Sequence, residues 1–181
     1  MVGTKTGAWL GLLMAVGLPA LDANAAPKQL YGKSVVVGWT EQVTQKRSDG
    51  AASNPTIVRE RLVYVSGAGR VFVKGRNSIN NPRYSGRKDF ERGPGEGASE
   101  GTPNFQGDRL VGTGVYSGFA RRLVVTFDPS FTSCSASVVY GRSGGPSVWK
   151  DMNDSRITYE VQSINVGGTT CSVREGNAVA N

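Results

Sequence analysis

Apolar residues recur at every second position along much of this chain. Between Ser34 and Val43, the side chains of Val35, Val37 and Trp39 fall on one side and the residues between them fall on the other. This period of two is typical of a strand with one buried face, whereas a helix would repeat every three to four residues. Similar runs predict strands at 61–66, 70–74, 109–116, 120–127, 134–140, 157–161 and 169–174.

Short segments rich in glycine and proline separate these runs. Gly67-Ala68-Gly69 and Gly167-Gly168 predict hairpin connections, because glycine adopts positive φ without penalty. Asp128-Pro129-Ser130 predicts a tight turn, since proline fixes φ, and the polar segment 48–55 predicts a loop. The fold that we predict is all-β, an antiparallel sandwich or closed barrel of about eight strands.

The first 25 residues have the features of an export signal. Lys5 precedes an apolar run from Ala8 to Leu18, Pro19 ends the run, and Ala23-Asn24-Ala25 is a small-residue cleavage motif. The run is shorter than the roughly 20 residues of a spanning helix, which favours a cleaved leader over a retained anchor. We predict cleavage after Ala25, one domain at 26–181 without a membrane span, and a periplasmic or secreted destination.

A polar, glycine-rich segment at about 75–108 interrupts the strand pattern. It contains Asn80-Asn81-Pro82 and Gly93-Pro94-Gly95-Glu96-Gly97, and it has scarcely any apolar periodicity. Little apolar burial is therefore available to offset the entropy of ordering it. We predict a long loop, either functional or disordered.

The chain has two cysteines, Cys134 and Cys171. In an oxidising compartment an even count of two favours one disulfide, with two free thiols as the alternative. Such a bridge stabilises a fold by about 4 kcal/mol in the chain-entropy model. Two cysteines without histidine make a poor zinc site, because structural zinc takes four nitrogen or sulfur ligands. We predict no metal and no cofactor.

Histidine is absent from the sequence. Catalytic sites of the Ser-His-Asp and Cys-His types are therefore excluded, as are histidine-ligated metals. The string from Gly141 to Pro146 resembles the nucleophile motif of chymotrypsin-like serine proteases, but Arg142 replaces the usual aspartate and the chain lacks the general base. We interpret this string as a turn between strands.

Two other strings only partly match ligand-binding motifs. The segment from Gly112 to Gly118 is rich in glycine, but its spacing differs from the dinucleotide fingerprint and no helix is predicted after it. Asp151 and Asp154 lie close in sequence, but the alternating oxygen ligands of a calcium loop are missing. We predict neither a nucleotide site nor a calcium site.

The segment from Arg59 to Arg92 is strongly basic. It contains nine Lys or Arg and three acidic residues, and this excess of six makes up most of the net charge of +7. Aromatic rings are interleaved with guanidinium groups that suit phosphate or carboxylate. We predict contact with an anionic glycan, a lipid head group or another polyanion, the alternative being a solvated loop. The candidate residues are Arg76, Arg83, Tyr84, Arg87, Lys88, Phe90 and Arg92.

Glu41 is the carboxylate that stands out most. It shares a predicted face with Trp39, whereas Glu160 alternates to the side opposite Ile157 and Tyr159. Without histidine, the hydrolytic chemistry most easily built is a pair of carboxylates flanking a glycosidic bond. A strand carboxylate beside an aromatic ring equally fits a cross-strand salt bridge. We assign no catalytic residue and keep a glycoside hydrolase as the less favoured function.

Two strings near the start of the predicted domain form a recognisable pattern. One runs from Leu30 to Val37 and on to Trp39-Thr40-Glu41, and the other from Leu62 to Ser66 and on to Gly69-Arg70-Val71-Phe72. They resemble strings in small uncharacterised exported proteins of alphaproteobacterial, rhizobia-type bacteria. The resemblance implies bacterial export and no particular activity.

The function that we predict is an exported, non-enzymatic β-domain that contacts anionic envelope or extracellular material through its basic segment. The alternative is a lipocalin-like barrel carrying a small apolar ligand, with Trp39 and aliphatic side chains lining the cavity. The first-strand Gly-x-Trp of lipocalins is not reproduced, because Gly38 and Trp39 are adjacent.

Overall fold

The computed structural model describes residues 25–80, 85–92, 103–116, 118–145, 147–151 and 154–180, and for 85–92 it describes the backbone alone. The predicted leader therefore lies outside the described residues, except for Ala25. Apart from a 3-10 turn at Lys28–Leu30, every regular element described is a β-strand, which confirms the predicted all-β class. Within the same residues, no helix is long and apolar enough to cross a membrane.

Ten strands form two antiparallel sheets across these residues. One sheet has six strands in the order β4-β3-β2-β1-β10-β9, and the other has four in the order β5-β6-β7-β8. Apolar side chains of both sheets meet in one cluster, so the architecture is the sandwich of the two predicted alternatives. In chain order the strands are β1 (Lys33–Arg47), β2 (Thr56–Val65), β3 (Val71–Asn80), β4 (Ser85–Arg92), β5 (Asn104–Gln106), β6 (Arg109–Tyr116), β7 (Phe119–Phe127), β8 (Cys134–Arg142), β9 (Val148–Lys150) and β10 (Thr158–Glu175).

The connection between β2 and β3 is the predicted hairpin. The Ser66 backbone N–H donates to the Arg70 carbonyl, and the Gly69 N–H donates to the Ser66 carbonyl. Gly69 has φ +75°, and a Cβ at this position would lie 2.5 Å from the Tyr31 hydroxyl oxygen. Both the backbone conformation and the close packing of Tyr31 therefore require glycine here.

The long loop predicted at 75–108 is wrong in part. β3 continues to Asn80, β4 occupies 85–92 and β5 occupies 104–106, while 81–84 and 93–102 lie outside the described residues. β4 pairs antiparallel with β3 from Ser85 opposite Asn80 to Arg92 opposite Val73. Backbone hydrogen bonds to a strand already in the sheet support such a polar edge strand, so it needs no apolar alternation of its own.

The hairpin predicted at Gly167-Gly168 is also wrong. β10 runs without a break through this dipeptide and pairs with β1 on both sides of it. Gly38 lies opposite Thr170 and Thr40 opposite Gly167, so β10 holds one extra residue in this interval, as in a β-bulge. Gly168 has φ +60°. The glycines therefore accommodate a bulge and not a chain reversal.

The core lies between the two sheets and is built from the alternating positions that the sequence indicates. Strands β1 and β2 contribute Val35, Val37, Val63 and Val65, and strands β6 and β7 contribute Leu110, Leu123, Val125 and Phe127. Ala26, the first residue of the predicted domain, is 6% exposed and belongs to the same cluster. A smaller apolar cluster forms around Val43, Ile57, Phe119 and Val161.

β8 and β10 lie side by side where the two sheets meet, without backbone pairing between them in the described residues. The predicted disulfide joins them, since Cys134 of β8 and Cys171 of β10 are bonded with their Cα atoms 5.6 Å apart. At the other end of β8, Arg142 Nη2 donates to the Gln162 carbonyl at 3.1 Å. A covalent bond and a side-chain contact thus close the seam between the sheets.

Candidate functional site

Four charged side chains lie on the core-facing sides of the two sheets. Glu41 lies on β1, Arg59 and Arg61 lie on β2, and Arg121 lies on β7, and all four are buried. Each follows the alternation of its strand, so each takes a core-facing position that an apolar residue would otherwise occupy. Buried charges are costly unless they are paired, and the contacts of these residues therefore define the site.

The Glu41 carboxylate is the centre of this cluster and has no exposed surface. Its Oε1 accepts hydrogen bonds from Trp39 Nε1 at 2.7 Å, from Arg59 Nε at 2.5 Å and from the Tyr140 hydroxyl. The other oxygen, Oε2, is buried and accepts no hydrogen bond from the described residues. Strands β1, β2 and β8 are thus joined at one oxygen atom.

Guanidinium groups surround the Trp39 indole. The Cζ atoms of Arg61 and Arg121 each lie 5.3 Å from the ring centroid, within the range of cation–π attraction. Asn77 Oδ1 accepts from Nη1 of Arg59 at 3.0 Å and from Nη1 of Arg61 at 3.1 Å, which fixes both arginines against β3. The indole therefore packs against two guanidinium groups as well as against the apolar core.

Tyr140 is partly buried at the seam between β8 and β10 and keeps its proton. Burial raises the pKa of its hydroxyl from 10.0 to about 12, and the negative charge of Glu41 acts in the same direction. The neutral phenol is the form that donates to the carboxylate. Tyr140 therefore links the seam of the sandwich to the buried Glu41.

This arrangement gives Glu41 the role of an internal counter-ion. A carboxylate without exposed surface, with one oxygen taken by three donors, is not accessible to a glycosidic bond. Glu160 is exposed and lies on the side opposite the buried Tyr159, as its alternation predicts. Asp151 accepts from the Tyr159 hydroxyl at 2.6 Å, and Asp154 pairs with Arg156 at 2.8 Å. No group of three or more metal-ligating side chains occurs among the described residues.

The string from Gly112 to Gly118 belongs to a strand and the connection after it, whereas the string from Gly141, predicted as a turn, begins with the last two residues of β8. Gly112 and Gly114 lie within β6, and Gly118, with φ +78°, lies in the connection to β7. Gly141 belongs to β8, and Gly144, with φ +76°, lies in the connection to β9.

The predicted basic residues are distributed over two strands of the six-stranded sheet. Arg76 lies on β3 and pairs with Glu60 of β2 at 3.1 Å. Arg83 and Tyr84 lie outside the described residues. The remaining four are on β4, which is paired and not a loop: Arg87 lies opposite Ser78, Lys88 opposite Asn77, Phe90 opposite Gly75 and Arg92 opposite Val73.

A groove of about 430 Å³ crosses the outer face of the six-stranded sheet. It extends over four neighbouring strands, β10, β1, β2 and β3, and Arg76 forms part of its wall. It is lined by Gly38, Trp39, Thr40, Val58, Arg59, Glu60, Arg76, Ser78, Gly168 and Thr170. Of these, Trp39 and Arg59 are almost completely buried, with 2% and 6% exposure.

Sequence reasoning missed Arg59, Arg61, Arg121 and Tyr140 as members of one cluster. The signal was present, because Arg59 and Arg61 alternate with Ile57 and Val63, and Arg121 precedes Leu123 at the same interval. Arginine at a core-facing strand position is buried only when its charge is paired, so this pattern indicated an internal ion pair. Pairing across sheets, by contrast, could not be read from single strands.

No protein-family model, no curated protein and no solved structure matches this chain.

Proposed function

We propose that this protein is an exported, non-catalytic β-sandwich that binds polyanionic material through basic residues of β3 and β4. The ligand chemistry is a chain or surface with repeated carboxylate, sulfate or phosphate groups, such as an acidic glycan or anionic lipid head groups. Export is supported by the leader-like first 25 residues and by the disulfide, since such bonds persist in oxidising compartments.

The observation that carries this proposal is the position of β4. It forms an edge of the six-stranded sheet, next to the strand that bears Arg76. Pairing with β3 therefore sets the backbone positions of Arg87, Lys88 and Arg92, with Arg87 on one face of the strand and Lys88 and Arg92 on the other. A paired backbone loses less conformational entropy on binding a polyanion than an unstructured loop would.

Basic residues on an edge strand also have a structural explanation, because charges there prevent pairing with another chain. The two explanations differ in what removal of the charges does. If the charges serve binding, their loss weakens retention on a polyanion. If they serve solubility, their loss promotes association of the protein with itself.

The test is salt elution from immobilised heparin. We expect the triple variant Arg87→Gln, Lys88→Gln, Arg92→Gln to elute at clearly lower salt than the wild type, because phosphate-like and sulfate-like contacts release counterions. The matched control is Arg109→Gln, Arg122→Gln, Arg174→Gln, which removes the same charge from exposed positions on β6, β7 and β10. If both variants elute at equally lowered salt concentrations, heparin retention depends only on net charge and the proposal is overturned. Size-exclusion chromatography in the same salts separates this outcome from self-association.

Two further measurements identify the class of anionic ligand and test export. Sedimentation with phosphatidylglycerol vesicles, compared with heparin binding, distinguishes a lipid surface from a glycan. Expression of the full chain in an exporting bacterium, followed by fractionation and N-terminal sequencing, should yield protein outside the cytoplasm that begins at Ala26. Recovery in the cytoplasm with an intact Met1 would contradict export.

A further inference from the structure

The groove on the outer face of the six-stranded sheet lies where the β1–β10 pairing contains a bulge. The extra residue of β10 lies opposite the interval from Gly38 to Thr40, and bulges increase the local twist and bend of a strand. Gly38 has no side chain to fill the resulting hollow, and a Cβ there would lie 2.8 Å from Thr170 Oγ1. The hollow is therefore part of the strand geometry and is formed before any ligand binds.

The length and volume of the groove are those of a small-ligand site. Four adjacent strands about 4.8 Å apart give it a length of about 14 Å across the sheet. Its volume of about 430 Å³ falls within the range of small-ligand sites. These dimensions suit a short linear segment of a polymer that lies across the strands.

The chain covers the adjoining part of the same face. Ser34 Oγ donates to the Gly176 carbonyl and accepts from the Ala178 backbone N–H, and Lys74 Nζ donates to the Val179 carbonyl. Leu62, which occupies an outward position of β2, is buried. The groove thus lies beside the covered part of this face, next to the segment 176–180.

The lining is polar and close to neutral in charge. Thr40, Ser78 and Thr170 bring hydroxyl groups, and Glu60 and Arg76 form an ion pair with side-chain exposures of 36% and 25%. A carboxylate and a guanidinium side by side present paired acceptors and donors in fixed directions, which match neighbouring hydroxyl groups of a sugar ring. Val58, which is 53% exposed, offers an aliphatic surface to the C–H face of such a ring.

The same lining disfavours other ligands. Glu60 in the groove repels a phosphate backbone, and the lining has no exposed aromatic ring on which a base could stack, because the Trp39 side chain is 2% exposed. The hydroxyl groups and the ion pair disfavour a purely apolar ligand, which could not satisfy them.

From this chemistry we infer that the groove is an oligosaccharide-binding site that recognises sugar hydroxyls through Glu60, Arg76 and the hydroxyl side chains. The inference rests on the proposed function, because it selects glycans among the polyanions and adds a contact to the sugar ring itself. Arg87 lies opposite Ser78, on the groove side of the sheet, and is the basic residue of β4 positioned to bind a charge of an acidic glycan while the groove binds a segment of its backbone.

The experiment begins with an array of neutral and acidic oligosaccharides and continues with calorimetric titration of the strongest array ligand. The variant Val58→Arg places a long side chain over the groove and raises the net charge by one. If the groove binds the oligosaccharide, this variant should lose at least tenfold in affinity. If the ligand is attracted by net charge alone, its affinity should increase. The matched control is Val139→Arg on β8, where valine is 56% exposed and the charge change is the same. The control should keep the wild-type affinity.

Glu60→Gln is the second variant, and it also raises the net charge. We expect it to weaken oligosaccharide binding several-fold and to leave heparin retention unchanged or increased. Amide NMR shifts on titration should map to Thr40, Ser78 and Thr170.

The outcomes separate this inference from the proposed function. Absence of any array ligand, or undiminished affinity in Val58→Arg, overturns the inference even if salt-dependent heparin retention persists. Groove-dependent binding of a neutral oligosaccharide without heparin retention supports the inference and overturns the polyanion proposal.

Discussion

Trp39 and Glu41 lie two positions apart on β1, and the indole N–H of Trp39 donates a 2.7 Å hydrogen bond to the Glu41 carboxylate. A strand places residues i and i+2 on the same side, so this contact is local to β1. Arg59 and Tyr140 bind the same carboxylate oxygen from β2 and β8. The Glu41 carboxylate therefore links the two sheets, because Tyr140 belongs to the four-stranded sheet and Arg59 to the six-stranded one.

Glu41→Gln should destabilise the protein strongly. The substitution removes the negative charge that faces Arg59, and breaking a buried ion pair costs about 3–5 kcal/mol of unfolding free energy. Urea unfolding measures the change. The control is Glu60→Gln, which breaks a partly exposed ion pair and should cost at most about 1 kcal/mol. A loss in Glu41→Gln no larger than in this control would show that the cluster does not stabilise the fold.

Tyr140→Phe removes one hydrogen bond to the buried carboxylate and little else. We expect a loss of about 1–3 kcal/mol in unfolding free energy, since a charged acceptor loses a donor. Tyr64→Phe is the comparison, because Tyr64 lies on an outward position of β2 and donates no hydrogen bond to Glu41. If both variants lose the same amount, the hydroxyl of Tyr140 is not a structural donor.

The stability of the wild type should fall in strongly alkaline solution for the same reason. The pKa of Tyr140 rises from 10.0 to about 12 in the folded protein, mainly through burial and next through the charge of Glu41. Between these values the unfolded chain has lost a proton that the folded chain keeps, so the unfolding free energy decreases as pH rises. This contribution is complete below the unfolded pKa and is lost on passing the folded one. Urea unfolding from pH 8 upwards should give a steeper decline for wild type than for Tyr140→Phe, and parallel curves would contradict the assignment.

Removal of the disulfide should lower stability by about 4 kcal/mol, because Cys134 and Cys171 are separated by 37 residues in sequence. Chemical unfolding with and without dithiothreitol measures the loss. The double variant Cys134→Ser, Cys171→Ser should match the reduced wild type and should not respond to the reductant. A wild type that is equally stable in both conditions would show that the bridge contributes nothing.

Gly69→Ala should destabilise the hairpin between β2 and β3. Alanine at φ +75° costs about 1–2 kcal/mol, and its Cβ would also press on the Tyr31 hydroxyl. Gly67→Ala in the same turn is the control, because nothing lies within 4 Å of its added Cβ and its φ is not positive. Thermal melts monitored by circular dichroism should give a lower midpoint for Gly69→Ala alone.

The strands with clear alternation were predictable, and the polar ones were not. β6 has the predicted bounds of 109–116, and Glu41 faces the core with Trp39 as its spacing indicates. β4 is held by backbone pairing with the preceding strand β3, and this pairing requires no period-two pattern in its own residues. Gly167-Gly168 carries the same local signal whether it forms a turn or a bulge, and the long partner strand β1 decides between the two.

Some features of the candidate site were also predictable from the sequence, and others were not. The position of Arg76 in a groove depends on the curvature of four strands, which no single segment encodes. The buried arginines follow their own strand alternation and were within reach of sequence reasoning. The pairing of Arg59 and Tyr140 with Glu41, by contrast, depends on how β1, β2 and β8 come together.

The pairing of β1 with β10 also limits the order of events during biogenesis. Lys33 lies opposite Glu175 in this pairing, so the middle of the six-stranded sheet joins segments that are synthesised far apart in time. Contacts of such high sequence separation form slowly, because a large loop must close first. During synthesis from the amino end, β1 therefore lacks its β10 partner until most of the chain has been made, and the six-stranded sheet cannot be completed before then.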